Sequence, residues 1–411
     1  MKHDLDRLMH AASLDALLVT GPGRHNPPMV YLSGGANLTS ADLVRRRDAE
    51  PVLFYRAMER DEAAQTGLQT RCLDDYNLEE LLRQAGGDML QATALRYARL
   101  LTEMGLQNAR IGLSGQMDAG LALALFTRLQ VALPGLELVG QATDTILMAT
   151  MATKEPQEVE RIRRMGQVTV EVVGQVADFL SSQRARDGVL IFDDGQPVTI
   201  ADVKRRINLW LSERGAENPE ETIFAIGSDA GVPHSVGSPA DVLRLGQTIV
   251  FDIFPREAGG GYFYDFTRTW CLGYAPDEVQ ALYDDVYQVY QQVTAALRLD
   301  APFGDYQALA CDLFEARGHP TQRSRPMTQQ GYVHGLGHGV GLHVHERPFA
   351  RLNGPNGDRL AAGSIMTIEP GLYYPERGLG VRLEDTYWVQ PDGQIGPLAS
   401  YPLDLVLPVR Q

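Results

Sequence analysis

Cysteine is scarce: Cys72, Cys271 and Cys311 are widely separated among 411 residues and form no Cys-x-x-Cys pair. Their small, odd number argues against a disulfide framework or a thiolate zinc site and fits a reducing compartment. No apolar run approaches the ~20 residues needed to span a bilayer. The opening Met1-Lys-His-Asp-Leu-Asp-Arg7 lacks the apolar stretch of a secretory signal. A cytoplasmic protein without a membrane partner is the expectation. Basic charge is also short, with 37 Lys and Arg against 52 Asp and Glu, a formal charge of −15. Nucleic acid favours a basic face, so no such partner is expected. Heptads, solenoid repeats and low-complexity tracts are missing as well.

The chain is long enough for two domains, and its 44% hydrophobic content suits globular cores. In the first third, Ala16–Val19, Met29–Leu32, Val52–Tyr55 and Ile111–Leu113 read as short buried strands. Leu90, Ala94, Tyr97, Leu101 and Met104 recur at helical spacing, with Gly105 as a stop. That alternation predicts an α/β domain, and no catalytic constellation stands out in it. His25 and Ser33-Gly-Gly35 read as loop features. A boundary falls near 150–155, where Pro156 suits a first helical turn. Two amphipathic helices follow, one along Val159–Leu180 and one from Pro276 with tyrosines 283, 287 and 290 at its flanks. The acids of interest lie instead in apparent strands at Thr248–Phe254, Phe263–Cys271, Ile365–Glu369 and Gly380–Val389.

Those acids are patterned twice. Leu243-Arg-Leu-Gly246 is followed six residues later by Asp252, and Leu360-Ala-Ala-Gly363 six residues later by Glu369. A second acid then appears in each copy, Asp265 and Glu384, with Thr267 and Thr386 two residues beyond. This reads as an internal duplication that gathers four carboxylates. Unmetallated, they would repel one another. Five of the nine histidines fall within 319–345, most of them in Val333-His-Gly-Leu-Gly-His-Gly-Val-Gly-Leu-His-Val-His-Glu346. Glycine at 335, 337, 339 and 341 permits close backbone approach around the imidazoles. The spacing is not GxGxxG, and Pro348 excludes an H-E-x-x-H helix. Carboxylates with an imidazole suit Mn, Co, Fe or Zn. Two such ions ~3.5–4 Å apart would cancel the charge and bring a bridging water toward a pKa of ~7.

These residues resemble the pita-bread metallopeptidases: aminopeptidase P, prolidase (Xaa-Pro dipeptidase) and methionine aminopeptidase. The resemblance covers roughly 155–405, through Pro233-His234, Asp252, Asp265-Phe-Thr-Arg-Thr269, Gly337–Glu346, Thr367-Ile-Glu-Pro-Gly-Leu-Tyr373 and Val381-Arg-Leu-Glu-Asp385. The first domain resembles the N-terminal domain of prolidase, aminopeptidase P and creatinase, which disfavours a plain methionine aminopeptidase. The implied fold is α/β (α+β): a creatinase/prolidase-like domain over 1–152 and a pita-bread domain with pseudo-twofold halves over 153–411.

The resemblance also implies roles. Asp252 would hold one divalent ion (Mn, Co or Zn), His338 and Glu369 the other, with Asp265 and Glu384 bridging both. Glu369 would also take the proton of the attacking water, His234 and His345 would contact the scissile carbonyl, and Arg382 would hold the bridging carboxylates. The implied activity is hydrolysis of Xaa-Pro bonds in small peptides by a homodimer. Arg347 and Arg351 are candidates for the carboxylate of a dipeptide, which favours a dipeptidase over an aminopeptidase P on longer peptides; a metallo-lyase or small-molecule hydrolase is the remaining alternative. Two features depart from the family pattern. Thirteen positions separate Asp252 from Asp265, two more than usual, which predicts a longer hairpin or bulge at Pro255–Gly261 on the cleft rim. His343 occupies a position commonly acidic or amide, and strand alternation would turn it away from His345.

Overall fold

The computed structural model describes residues 4–141, 145–352 and 357–410. The chain divides into two compact units, Met1–Thr150 with Gly259–Gly261, and Met151–Ala258 with Tyr262–Gln411. Among the described residues no helix is long and apolar enough to cross a membrane.

The first unit is built on six strands, in the order Gln69–Cys72, Val52–Tyr55, Ala41–Arg46, Ala16–Gly21, Arg110–Gly115 and Glu137–Gly140. Ala16–Gly21 runs parallel to Arg110–Gly115 and antiparallel to Ala41–Arg46, so the sheet is mixed. Leu18, Val44 and Phe54 pack with Tyr97, Leu101, Leu125 and Leu129 from the helices Met89–Glu103 and Ala119–Ala132. Asp88 caps the first of these helices by accepting from the Leu90 and Gln91 amides at 2.9 and 3.0 Å. Met29–Leu32 is not a strand. It lies in the helix Pro27–Ser33, which starts on two prolines and stops at Gly34, φ +83°, whose N–H bonds the Val30 carbonyl. Proline at the first helical positions and glycine at the last outweigh the β-prone Val30-Tyr31 pair.

In the second unit the helix Pro156–Ser182 buries the stripe Val159, Ile162, Met165, Thr169, Val172, Val176 and Leu180. The helix Asp277–Ala296 buries Val279, Leu282, Val286, Val289 and Val293. Its tyrosines divide: Tyr283 and Tyr290 are buried rather than flanking, and Tyr290 donates to the Asp385 carboxylate. Two sheets follow. One orders Ile223–Ile226, Thr248–Ile253, Phe266–Leu272 and Val406–Leu407; the other orders Glu346–Phe349, His338–Gly339, Ile365–Ile368, Asp385–Val389 and Ile395–Pro397.

The repeated motif has a repeated geometry. Gly246 and Gly363 both take positive φ, +70° and +89°, ahead of their strands. Each sends its N–H to the end of the antiparallel partner strand, Gly246 to the Leu272 carbonyl at 3.0 Å and Gly363 to Val389 at 2.8 Å. An L side chain strains at such φ, which explains glycine at both places. Gly380–Val389 is two strands and not one: Leu379–Arg382 pairs with Gly371–Tyr374, while Asp385–Val389 pairs with Ile365–Ile368. Glu384 sits at the break, bridged to Thr267.

Candidate metal centre

Strand ends supply the acids. Asp252 is the penultimate residue of Thr248–Ile253, Asp265 precedes Phe266–Leu272, and Glu369 and Glu384 flank Ile365–Ile368 and Asp385–Val389. His338 is brought against them because its neighbours have no side chains. A Cβ on Gly337 would lie 2.0 Å from the Thr367 carbonyl oxygen, and one on Gly339 would lie 2.1 Å from that of Arg347.

Asp265, His338 and Glu384 are buried and offer ligand atoms that all lie within 4.8 Å of one another. His338 Nε2 is 3.3 Å from Glu369 Oε1 and 3.6 Å from Asp265 Oδ2. His338 Nδ1 lies 3.1 Å from the Gly339 carbonyl, which can only accept, so Nδ1 carries a proton and Nε2 faces the acids. Two carboxylate oxygens, Asp252 Oδ1 and Asp265 Oδ1, are buried without a protein partner. Such atoms are expensive to bury unpaired. An oxygen-rich cluster with one imidazole and two orphaned oxygens fits a divalent cation.

The carboxyls are held in different states. Burial raises Asp252, and raises Asp265 and Glu384 well above the ordinary carboxylate range, with neighbouring acids adding to it. Burial also acts on Glu369, but His338, His334 and Arg382 outweigh it and lower that carboxyl to about 2. His338 moves the other way: burial opposes its charge, yet Glu369 and Asp265 raise it to about 9. His345, whose ring centroid is 4.2 Å from that of His338, is lowered to about 4 by burial and then by the His338 charge.

Arg382 does not hold Asp265 or Glu384 directly. Its guanidinium donates to Asp252 Oδ2 at 2.6 Å, to the Tyr373 hydroxyl at 2.6 Å and to the Thr267 hydroxyl at 3.2 Å. Thr267 in turn donates to Glu384 Oε2 at 2.7 Å, so the hydrogen-bond path from Arg382 to Glu384 runs through a threonine, while the guanidinium charge acts on both Asp265 and Glu384. The other repeated threonine crosses back, with Thr386 donating to the Asp265 carbonyl at 2.8 Å. Behind Glu384, Arg268 binds its backbone carbonyl and Asp385, each at 2.9 Å.

A cavity of about 760 Å³ opens over these acids. It is lined by Asp252, Asp265, His338, Glu369 and Glu384, and also by His234, His345, Arg351 and Arg382. Arg347 and His343 are not among its lining residues. Arg347 is turned to Asp358, its Nε donating at 2.7 Å, so a carboxylate of the chain itself takes the place expected for a substrate. His343 lies in the turn before Glu346–Phe349, where strand alternation does not apply. The segment Pro255–Gly261 does form a hairpin, closed by Tyr264 N–H to Pro255 O at 3.0 Å. The cavity takes Phe254 and none of residues 255–261, so the hairpin is not its rim. His334 is a lining residue that sequence reasoning left without a role: it lies 2.8 Å from the Tyr373 hydroxyl and 3.6 Å from Glu369. Its position four residues before His338 was the available signal.

The model of metallopeptidase family M24 matches residues 160–391, and that of the creatinase/prolidase N-terminal domain matches 3–147. YkvY of Bacillus subtilis is 31% identical over 212 residues, covering 51% of this chain and 54% of that protein. A Pyrococcus furiosus protein named Xaa-Pro dipeptidase is 26% identical over 252 residues, covering 61% of this chain and 64% of its own length. The matches thus span between about half and two thirds of these curated relatives. A solved structure titled X-Pro aminopeptidase, from Thermotoga maritima, shares the fold with a TM-score of 0.75 at 20% identity, covering 98% of this chain and 100% of the other.

Proposed function

The chain belongs to metallopeptidase family M24, and from that premise we propose that it is a divalent-metal exopeptidase hydrolysing the Xaa-Pro bond of dipeptides. The observation that carries the reading is the convergence of Asp265, His338 and Glu384 beside the orphaned oxygens of Asp252 and Asp265. In the proposal two ions are held, Asp252 serving one, His338 and Glu369 the other, and Asp265 and Glu384 both. Bound there, the ions would polarise the scissile carbonyl and acidify water. The chain's own groups do the rest. Glu369, ionised far below neutrality, accepts the proton from water. His345, neutral at pH 7, lies in the cavity with His234 to stabilise charge developing on the carbonyl oxygen. Arg351, exposed on the cavity wall, is the cation left for a substrate carboxylate once Arg347 is assigned to Asp358. Proline has no N–H and a fixed φ, so its tertiary amide suits a site that asks no donor of the leaving nitrogen.

A second reading, an aminopeptidase acting on longer Xaa-Pro peptides, draws on the cavity volume of about 760 Å³, which is ample for a dipeptide. Hydrolysis of Xaa-Pro against Xaa-Pro-Xaa-Xaa by the protein loaded with Mn, Co or Zn separates the two. Faster cleavage of the dipeptide, abolished by chelation and restored by metal, is the expected result; faster cleavage of the tetrapeptide selects the second reading. Three free thiols fit a cytoplasmic setting, and the proposed homodimer is checked by sedimentation.

A further inference from the structure

Lys154 and Glu346 form an ion pair with side chains 1% and 0% exposed, between residues 192 positions apart. Neither lines the cavity. Two charges removed from water are poorly compensated by each other alone, so a pair this deep is informative about what else it holds. The Glu346 carboxylate accepts from the His343 amide at 3.4 Å and lies against Gly341, where a Cβ would come within 2.1 Å of Oε1. Gly341 donates to the His343 carbonyl at 3.0 Å and accepts from the Phe263 amide at 2.8 Å. Residues 341–345 therefore form a turn wrapped over its own glutamate, closed where Gly339 pairs with Glu346. His345 belongs to that turn and not to a strand, so no ladder fixes its direction. On the other side, Lys154 is anchored by its backbone N–H to the carbonyl of Gly363 at 2.8 Å, the glycine ahead of the strand Ile365–Ile368 that leads to Glu369.

We infer that the Lys154–Glu346 pair is a positioning device for His345: Lys154 fixes Glu346, Glu346 fixes the turn, and the turn aims the imidazole toward His338. Both are positioning residues without substrate contact. The inference rests on the proposed role of His345 in Xaa-Pro hydrolysis, although the geometric part can be tested apart from it.

The test uses the whole 411-residue chain, loaded with metal. Lys154→Met should retain its metal content and lose about 10–100-fold in kcat, with KM changed less than about threefold. Lys154→Arg should recover most of that loss. In a His345→Ala background, Lys154→Met should cost less than about twofold, because the two changes act on one group. Independently of turnover, the His345 imidazole resonances, identified by their absence in His345→Ala, should move in Lys154→Met and return in Lys154→Arg. Unmoved resonances, or a full further loss in the His345→Ala background, overturn the inference. A wild-type protein inert toward Xaa-Pro peptides would sink the functional reading alone, and the resonances would still decide the pair. Should Lys154→Met not fold, Lys154→Met/Glu346→Gln leaves no unpaired buried charge, and a wild-type His345 spectrum in it would equally overturn the inference.

Discussion

Glu369 differs from the other three acids in its company. His338 contacts Oε1 at 3.3 Å and His334 approaches Oε2 at 3.6 Å, while Asp252, Asp265 and Glu384 crowd one another. Charge on Glu369 is therefore favoured on balance, whereas at Asp252, Asp265 and Glu384 burial outweighs the help of Arg382. Replacing it with glutamine keeps the shape and removes both the charge and the basicity. Glu369→Gln should lower turnover by about 10²–10⁴-fold or more while the circular dichroism melt stays within a few degrees of wild type; near-normal hydrolysis would refute the assignment. The acids themselves could be read from sequence because their spacing repeats. Arg347 and Arg351 could not be told apart, since the choice depends on Asp358 folding back onto the first of them. Thr267 was visible as part of a repeat, but its hydroxyl serves an acid 117 positions away, which no local pattern contains.

At the scale of elements, periodicity worked where one face is buried over several turns. The stripes of Pro156–Ser182 and Asp277–Ala296 are of that kind. It failed for Met29–Leu32, four apolar residues too few to show a period, where the flanking prolines and Gly34 held the information. It failed again at Gly380–Val389, where a continuous β-prone run hides the break that frees Glu384. One contact between elements carries its own expectation. Tyr97, on the helix Met89–Glu103, donates to Asp42 on the strand Ala41–Arg46 at 2.6 Å. Burial raises the Asp42 carboxyl above its ordinary value, with the Tyr97 bond opposing. The folded state then keeps this proton to higher pH than the unfolded chain, so the stability it contributes declines as pH rises through the raised value. Asp42→Asn retains an acceptor for Tyr97 and removes the buried charge. It should flatten that decline and raise the melting temperature at pH 7 by a few degrees, with little change near pH 4, in paired thermal scans.

Across the whole molecule, the candidate metal residues all belong to the second compact unit, so a bound cation should stabilise one unit and leave the other unchanged. A divalent ion at about 100 times its Kd is worth roughly 2.7 kcal/mol, or about 5–10 °C in a unit of this size. Calorimetry after chelation and after metal addition should show one transition that moves and one that does not. Because burial raises Asp252, Asp265 and Glu384, protons compete with the ion from above the ordinary carboxylate range. The shift should therefore shrink as pH falls from about 8 to about 5. Equal movement of both transitions, or a shift that grows with acidity, would contradict this placement of the ions.

The crossed threonines have a consequence for how the halves can change. Thr267 bonds the Glu384 carboxylate and Thr386 the Asp265 backbone carbonyl, so each half reaches across to the other beside its second acid. One half alone would lose the hydroxyl that reaches it there, whereas two identical copies could supply each other by symmetry. Neither half is then independent of the other, and a change at either threonine would call for an answer in the opposite half.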